Sequence, residues 1–446
     1  MLSAVPGRDY DILLYGAGGF TGRQTVAYFA AHAPDGLRWA IAGPRRHTLE
    51  AARDAAGASL RDSDLIVAPS QDQSAVDAAV ARSRIVLSTA GPFALYGTPV
   101  VDACVRFGSH YVDITGETPW MREIAARYHE PAAANGTRII PCCGFDSVPS
   151  DLGTLLTARC IRDTTGVPCP EVRSYFRFSG GLNGGTVASL LNMLKAPRRP
   201  GGTGPAGPGS AEPGPPSTRR DGRIRMVTRP RYDERLGAWI GPFVMAPTNT
   251  QVVRRSITLF EEWRTRSTAH GPPSTVSRPP STVTEVRDED PYDSKFVYQE
   301  AMRYEPPFAR AKAFAASAGL GLLFAALKRP LTRRLVEPLL PKPGAGPSVE
   351  TMDRGWFICD LIGIAADGRE ANGVILYDGD PGNRATTVFL CEAALALALD
   401  SAALPGGPAR GGVLTPATGL GDVLVERLQN AGVTIAIRPV KTRQRS

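Results

Sequence analysis

The sequence predicts an α/β protein: a doubly wound parallel sheet in the N-terminal part, then a second α+β domain whose sheet is mostly antiparallel. Three observations predict it. Gly16-Ala17-Gly18-Gly19-Phe20-Thr21-Gly22 forms a glycine-rich turn between an apolar run and a helical pattern. Short apolar runs and amphipathic segments then alternate to residue 158, which implies parallel strands joined by right-handed helical crossovers. After residue 159 longer stretches take over, such as EVRSYFRFSG (171–180), in which polar and apolar residues take turns. That period of two marks strands with one wet face.

Taken in order, the expected strands of the first domain (1–158) are Ile12–Tyr15, Trp39–Ala42, Leu65–Val67, Ile85–Ser88, Tyr111–Ile114 and Arg138–Ile140. Helical periodicity fills the gaps at Leu49–Ala56, Ser74–Ala81, Pro99–Phe107 and Trp120–Ala134, and Val26, Phe29 and Ala30 share a face just after the glycine turn. Ser150 or Asp151 is the expected N-cap of a helix through LGTLLTARC. The second domain (159–385) opens with a strand and then GGLNGGTVASLLNMLK, a glycine-rich lead into an apolar helix. FVYQEAMRY, GWFICDLIGIA and ANGVILYDG read as its remaining strands. Two stretches rich in Pro, Gly, Ser and Arg, near 197–223 and 265–291, are expected to be disordered excursions. Residues 386–440 return toward the core as the apolar helix TTVFLCEAALALALD, a helix after Thr418 closed by Gly432, and a strand at Val433–Ile437.

Ligands of doubly wound sheets bind at the carboxyl ends of the strands, which singles out four loops. In the first, the small residues of Gly16–Gly22 let the backbone approach a pyrophosphate, and the helix end supplies the attraction. The spacing is G-x-x-G-x-x-G, because Thr21 stands where a G-x-G-x-x-G pattern needs its last glycine. The second loop runs Gly43-Pro44-Arg45-Arg46 with no acid to accept from a ribose 2′-OH. Two guanidinium groups suit a 2′-phosphate, so NADPH is favoured over NADH. The competing reading makes Arg45 and Arg46 solvated charges at a helix start. The third loop, Thr89-Ala90-Gly91-Pro92, lets the backbone pass close to a ribose or nicotinamide. Asp113 and Glu117 flank the fourth, and Asp146, Ser147 and Asp151 follow the next strand.

Composition narrows the classes. A chain of 446 residues with 43% hydrophobic content supports two substantial cores. The net charge of +8 is dispersed in local clusters, and no nucleic-acid-binding motif accompanies it, so no nucleic-acid partner is expected. Seven cysteines without a C-x-x-C fit neither a metal site nor a disulfide framework. With no signal pattern at the N-terminus, the cytoplasm is the expected compartment. Hydrolase, kinase and zinc-peptidase motifs are missing. Phe308–Leu327 is unusually apolar and is followed at once by Lys328, Arg329, Arg333 and Arg334. It reads as a core helix, a cover for an acyl chain, or an interfacial helix making peripheral contact with a membrane.

GAGGFTG (16–22), STAGPFALYG (88–97), HYVDITGE (110–117), CGFDSVPSDLG (143–153), PFVMAP (242–247) and GGVLTPATGLGDVLVERLQNAG (411–432) occur in this order. Together they resemble the saccharopine dehydrogenase-like oxidoreductases, and within them the trans-acting enoyl reductases, over nearly the whole chain outside the two Pro-rich stretches. The resemblance implies a Rossmann domain, a second α+β domain and reduction with a nicotinamide cofactor. It implies an acyl or polyketide substrate built by a separate synthase, with carrier-bound delivery open. Glycolipid and wax-ester assembly at the inner face of the plasma membrane is implied with it. Carried over, the cofactor positions are Gly16, Gly19, Phe20, Thr21, Gly22 and Thr89–Pro92. Two departures stand out: Pro44 occupies a position where the family places Arg, and Asn383-Arg384 follow Gly379–Gly382 where an aromatic is common. Enoyl reduction needs an oxyanion donor and a proton source besides hydride, and Tyr111, Tyr96 and Ser147 are the candidates by loop position and chemistry. An amino-acid dehydrogenase of the saccharopine reductase type and a non-catalytic NADPH-binding docking protein remain as alternatives.

Overall fold

The structure, a computed structural model, describes residues 7–195, 224–269 and 290–441. Strand and helix alternate through β1 (Tyr10–Tyr15), α1 (Phe20–His32), β2 (Trp39–Gly43), α2 (Arg46–Ala56), β3 (Leu65–Val67), α3 (Gln73–Ala81), β4 (Ser83–Ser88), α4 (Phe93–Phe107), β5 (His110–Asp113), α5 (Thr118–Ala134) and β6 (Arg138–Ile140). A long helix, α6 (Val148–Thr165), leads to β7 (Cys169–Ser179) and α7 (Gly184–Lys195). Next come β8 (Ile224–Met226), β9 (Arg231–Asp233), β10 (Ala238–Gly241), α8 (Ala246–Ala269) and β11 (Tyr292–Tyr304). Three helices follow, α9 (Ala309–Lys328), α10 (Pro330–Val336) and α11 (Val349–Asp353), then β12 (Trp356–Ile364) and β13 (Glu370–Tyr377). The chain closes with α12 (Thr386–Leu399), β14 (Gly412–Val413), α13 (Pro416–Gly419), α14 (Gly421–Asn430) and β15 (Thr434–Lys441).

The first sheet has the order β14-β6-β5-β4-β1-β2-β3 with every pairing parallel. Period-two alternation sorts its residues. Ile12 and Leu14 face one core with α1 and α12, while Leu13 and Tyr15 face another with α3, α4 and α5. Each buried Leu or Ile contributes about 1.5–3 kcal/mol, so both faces of the strands must be covered for so apolar a sheet to be stable. One cover, α12, is buried from Thr386 to Ala398. It comes from the C-terminal segment, as does the edge strand β14.

The second sheet runs β15-β13-β12-β7-β11-β10-β9, with β8 paired to β11. Its pairings are antiparallel except β7 with β11 and β8 with β11. Packed against β7, β12, β13 and β15 on one side and α8 and α13 on the other, α6 joins the two halves.

Several local readings change. Ser147, not Ser150 or Asp151, stands at the N-cap position of α6, because Pro149 favours the first helical turn and draws the helix start forward. Thr415 caps α13 in a capping box with Thr418, and α14 starts separately at Gly421. The stretch 197–223 lies outside the described residues, as does 270–289, whereas Thr265–Ala269 complete α8.

Candidate active site

The turn after β1 is shaped for an anion. Gly16 has φ +90°, and a Cβ there would meet Ala90 N at 2.8 Å. At Gly22 a Cβ would lie 2.2 Å from the Gly16 carbonyl oxygen, so only glycine lets α1 come this close to the turn. Gly18 backs onto Thr48, and Gly19 is exposed at the N-cap position of α1. No side chain caps that helix and no acid lies in its first turn, so its N–H groups and positive end point at open space. A pyrophosphate fits this cradle. Phe20 does not line it: the ring packs on the backbone of Gly346, in the strap 341–347. Arg23 reinforces the contact, donating to Gly18 O at 3.0 Å and Gly344 O at 3.4 Å.

The two arginines after β2 have separate fates. Arg46 donates to Glu50 at 2.9 Å and to the carbonyls of Asp62 and Leu65 at 2.9 and 3.2 Å, bracing α2 against the approach to β3. Arg45, at the N-cap position of α2, is exposed and has no ion pair with a described residue. Of the two guanidinium groups, it is the one that no described residue holds in place.

Thr89 ties the third loop to the first, its N–H bonding Tyr15 O at 2.9 Å and its hydroxyl Gly16 O at 3.2 Å. Half-buried Ala90, Gly91 and cis-Pro92 continue the wall. The start of α4 is already satisfied, because Glu117 accepts from Phe93 N at 2.7 Å and Ala94 N at 3.0 Å. Ser189 of α7 also donates to Glu117, at 2.8 Å, linking the two halves across this loop.

The three hydroxyls singled out as donors part company. Tyr111 is sealed inside the sheet and donates to Asp113 at 2.9 Å, so it has no route to a substrate. Ser147 is buried with its hydroxyl on Asn249 Oδ1 at 3.3 Å. Only Tyr96, half-exposed on the first turns of α4, has a hydroxyl without a bond to a described residue.

Sequence position alone hid a polar chain beside Ser147. Asn249 donates to Glu300 Oε1 at 2.7 Å, while Ser150 and Tyr298 reach Glu300 Oε2 at 3.2 and 3.0 Å. Burial pushes the Glu300 carboxyl up to about 8. Next to Ser147, Asp146 is half-buried and accepts no hydrogen bond from a described residue; desolvation raises it to about 6. The turn that presents it carries Cys142 at φ 66°, a left-handed conformation rare outside glycine and typical of functional sites. Cys142 N donates to Asp113 Oδ1 at 3.0 Å, anchoring that turn to β5, and both Cys142 and Cys143 are free thiols. On the far side Phe145 meets Phe357, Phe176 and Phe178 at ring distances of 4.7, 5.9 and 6.1 Å. Phe178, Val244 and Trp356 leave apolar surface exposed beside that group. Asp380 and Asn383, from the departing segment after β13, are buried braces, with Asp380 accepting from Asn383 N at 2.7 Å and Asn383 bonded to Asn183 at 2.9 Å.

Residues 12–140 match the saccharopine dehydrogenase NADP binding domain. Over 448 residues the chain is 34% identical to a trans-acting enoyl reductase of Mycobacterium tuberculosis, covering 96% of this chain and 97% of that protein. The trans-acting enoyl reductase of Mycobacterium leprae is 34% identical over 444 residues, with the same coverage of both. The chain belongs to the trans-acting enoyl reductase family. Apo saccharopine dehydrogenase from Saccharomyces cerevisiae shares the fold, at a TM-score of 0.50 and 14% identity over 97% of this chain and 100% of that one. As a member of this family the chain is an NADPH-dependent oxidoreductase, and the cradle, the uncapped helix end and Arg45 are the features that fit the cofactor.

Proposed function

We propose that this reductase saturates an enoyl thioester on a lipid or polyketide chain presented by a carrier protein. We place that work in lipid and glycolipid assembly, on the cytoplasmic side of the plasma membrane. The observation that carries the chemistry is Asp146: a half-buried carboxyl without a hydrogen-bond donor, beside the loops at the strand ends and next to an aromatic surface.

Bound NADPH supplies hydride to the β-carbon of the enoyl group. The proton for the α-carbon comes from Asp146, whose raised pKa keeps part of it protonated near neutrality. Phe178, Val244 and Trp356 exclude water from the acyl chain, as apolar surface beside a reacting centre does. Tyr96, on the loop side, is the group free to donate to the thioester oxygen as charge develops there. The polar chain through Asn249 and Glu300 holds Ser147, and with it the Asp146 turn, in place.

The test is NADPH oxidation with a long-chain enoyl thioester and, separately, NADP+ reduction with saccharopine, whose C–N bond is oxidised in the amino-acid reaction. Turnover of the thioester alone supports the reading. In Asp146→Asn, kcat falls by about 100-fold or more if the carboxyl is the general acid, while NADPH affinity holds. Unchanged kcat in Asp146→Asn refutes the assignment, and turnover of the amino acid alone refutes the substrate class.

A further inference from the structure

The apolar stretch after β11 is not a core helix. Only about a tenth of the most apolar window of α9 is buried inside the protein. Ala311, Phe314, Ala318, Leu322 and Ala325 recur every three or four residues along one exposed face. The exposed face continues into the next helix and turn through Leu331, Leu335 and Leu339, which are 80%, 75% and 82% exposed. So much contiguous apolar surface on a described face marks an interaction site.

Its charge decides the partner. Between Phe308 and Ser348 stand Arg310, Lys312, Lys328, Arg329, Arg333, Arg334 and Lys342 against the single acid Glu337. A second copy of the chain would bring the same positive face and repel. An acyl chain would use the apolar stripe and leave the cations idle. An anionic lipid surface uses both.

The way α9 is held suits lying along such a surface and not crossing it. Ala313 near its start and Leu327 near its end are both fully buried against the same body of protein. Leu327 packs with Val187 and Leu191 of α7, and Phe314 meets Trp239 at 6.1 Å. Both ends therefore stay on one side, although the helix is long and apolar enough to span. Beyond α10 the chain continues into the strap that rests on Phe20 and Arg23 of the dinucleotide turn.

We infer that α9 and α10 form an amphipathic platform that docks the enzyme on an anionic bilayer surface, with Leu322, Leu331, Leu335 and Leu339 entering the headgroup boundary and Lys328, Arg329 and Arg334 meeting the lipid phosphates. This deepens the membrane location proposed above and does not depend on the enoyl chemistry. Docking beside α7 and the strap sets the reductase against the surface where its lipid-like substrate dissolves.

The experiment is co-sedimentation of the full chain with vesicles of pure phosphatidylcholine and with vesicles containing one third phosphatidylglycerol, at low and high salt. Wild type binds the anionic vesicles at least tenfold better, and high salt reduces that binding. Leu322→Glu with Leu335→Glu changes two exposed positions, so the variant folds and binds NADPH normally but loses vesicle binding. Lys328→Ser, Arg329→Ser and Arg334→Ser remove the lipid-charge preference. Equal binding of wild type and the leucine variant, or no vesicle binding by a folded wild type, overturns the inference. So does a dimer of the wild type, by light scattering, that the leucine variant abolishes, because the face then belongs to a second copy. Turnover of a soluble enoyl thioester is scored separately, so failure of docking and failure of the catalytic reading remain distinct.

Discussion

Arg45 and Arg46 look equivalent in sequence and have different work in the structure, which makes their separate removal informative. Arg45→Ala removes an exposed guanidinium with no partner among the described residues, so it has nothing structural to lose. A charge-assisted bond is worth about 1.5–3 kcal/mol. Discounting for solvent screening leaves about 1–1.5 kcal/mol toward a 2′-phosphate, or about a 5- to 12-fold rise in the NADPH Kd. NADH, which has no 2′-phosphate, binds as before. Arg46→Ala instead breaks the bonds to Glu50, Asp62 and Leu65 that hold α2. It costs about 1 kcal/mol of stability and weakens both cofactors alike. Fluorescence titration of both variants with NADPH and NADH, together with thermal melts, separates the outcomes. If Arg45→Ala leaves the NADPH-to-NADH preference untouched and Arg46→Ala abolishes it, the division of roles is wrong.

Gly22→Ala places a methyl 2.2 Å from the Gly16 carbonyl and is expected to lower Tm and abolish NADPH binding together. Gly19→Val meets only Gly16 O, at 3.3 Å, so it should fold with near-normal Tm and lose NADPH affinity in titration. Because the donor must be protonated, kcat should fall tenfold per pH unit above about 6, and a profile flat from pH 6 to 8 would remove Asp146 from that role. Burial raises Glu300 from the ordinary 4.5 to about 8, so the folded state binds a proton that the unfolded state has released. The Glu300 contribution to stability is therefore full below pH 4.5 and falls as pH rises toward 8, by up to about 5 kcal/mol. Glu300→Gln, which keeps the shape of the neutral acid, should flatten that slope in urea melts between pH 5 and 8; a variant as pH-sensitive as wild type would show that the proton sits elsewhere.

The first sheet was legible because its instructions are local. Ile12–Tyr15 and Arg138–Ile140 each carry their strand signal within a few residues, and both lie within observed strands. The seventh strand was not legible. Gly412 and Val413 offer no strand signal of their own and pair with Arg138 and Ile139 only because the chain returns. The helix α12 illustrates the same limit from the other side: its apolar run was plain, but nothing in it names the sheet face that it covers. Tertiary partners, not propensity, decide such elements.

The glycine turn belongs to the legible half, since it is built from consecutive residues and one helix end. The catalytic side does not. Tyr111 looked available because it precedes a strand end, yet a period of two puts its side chain inside the core, where Asp113 takes its proton donor. Asp146 sits in a turn that the sequence did mark, but its raised pKa comes from burial, which the turn acquires only in the folded chain, where the neighbouring Phe145 meets Phe176 of β7 and Phe357 of β12. Asn249 and Glu300 are 51 residues apart and meet only where α8 crosses the second sheet. The proton donor proposed for a lipid-like substrate stands where a polar chain and an apolar wall come together, between elements of the two sheets. No single stretch of sequence holds both sides of it, so the chemistry becomes readable only once α6 has drawn the sheets together.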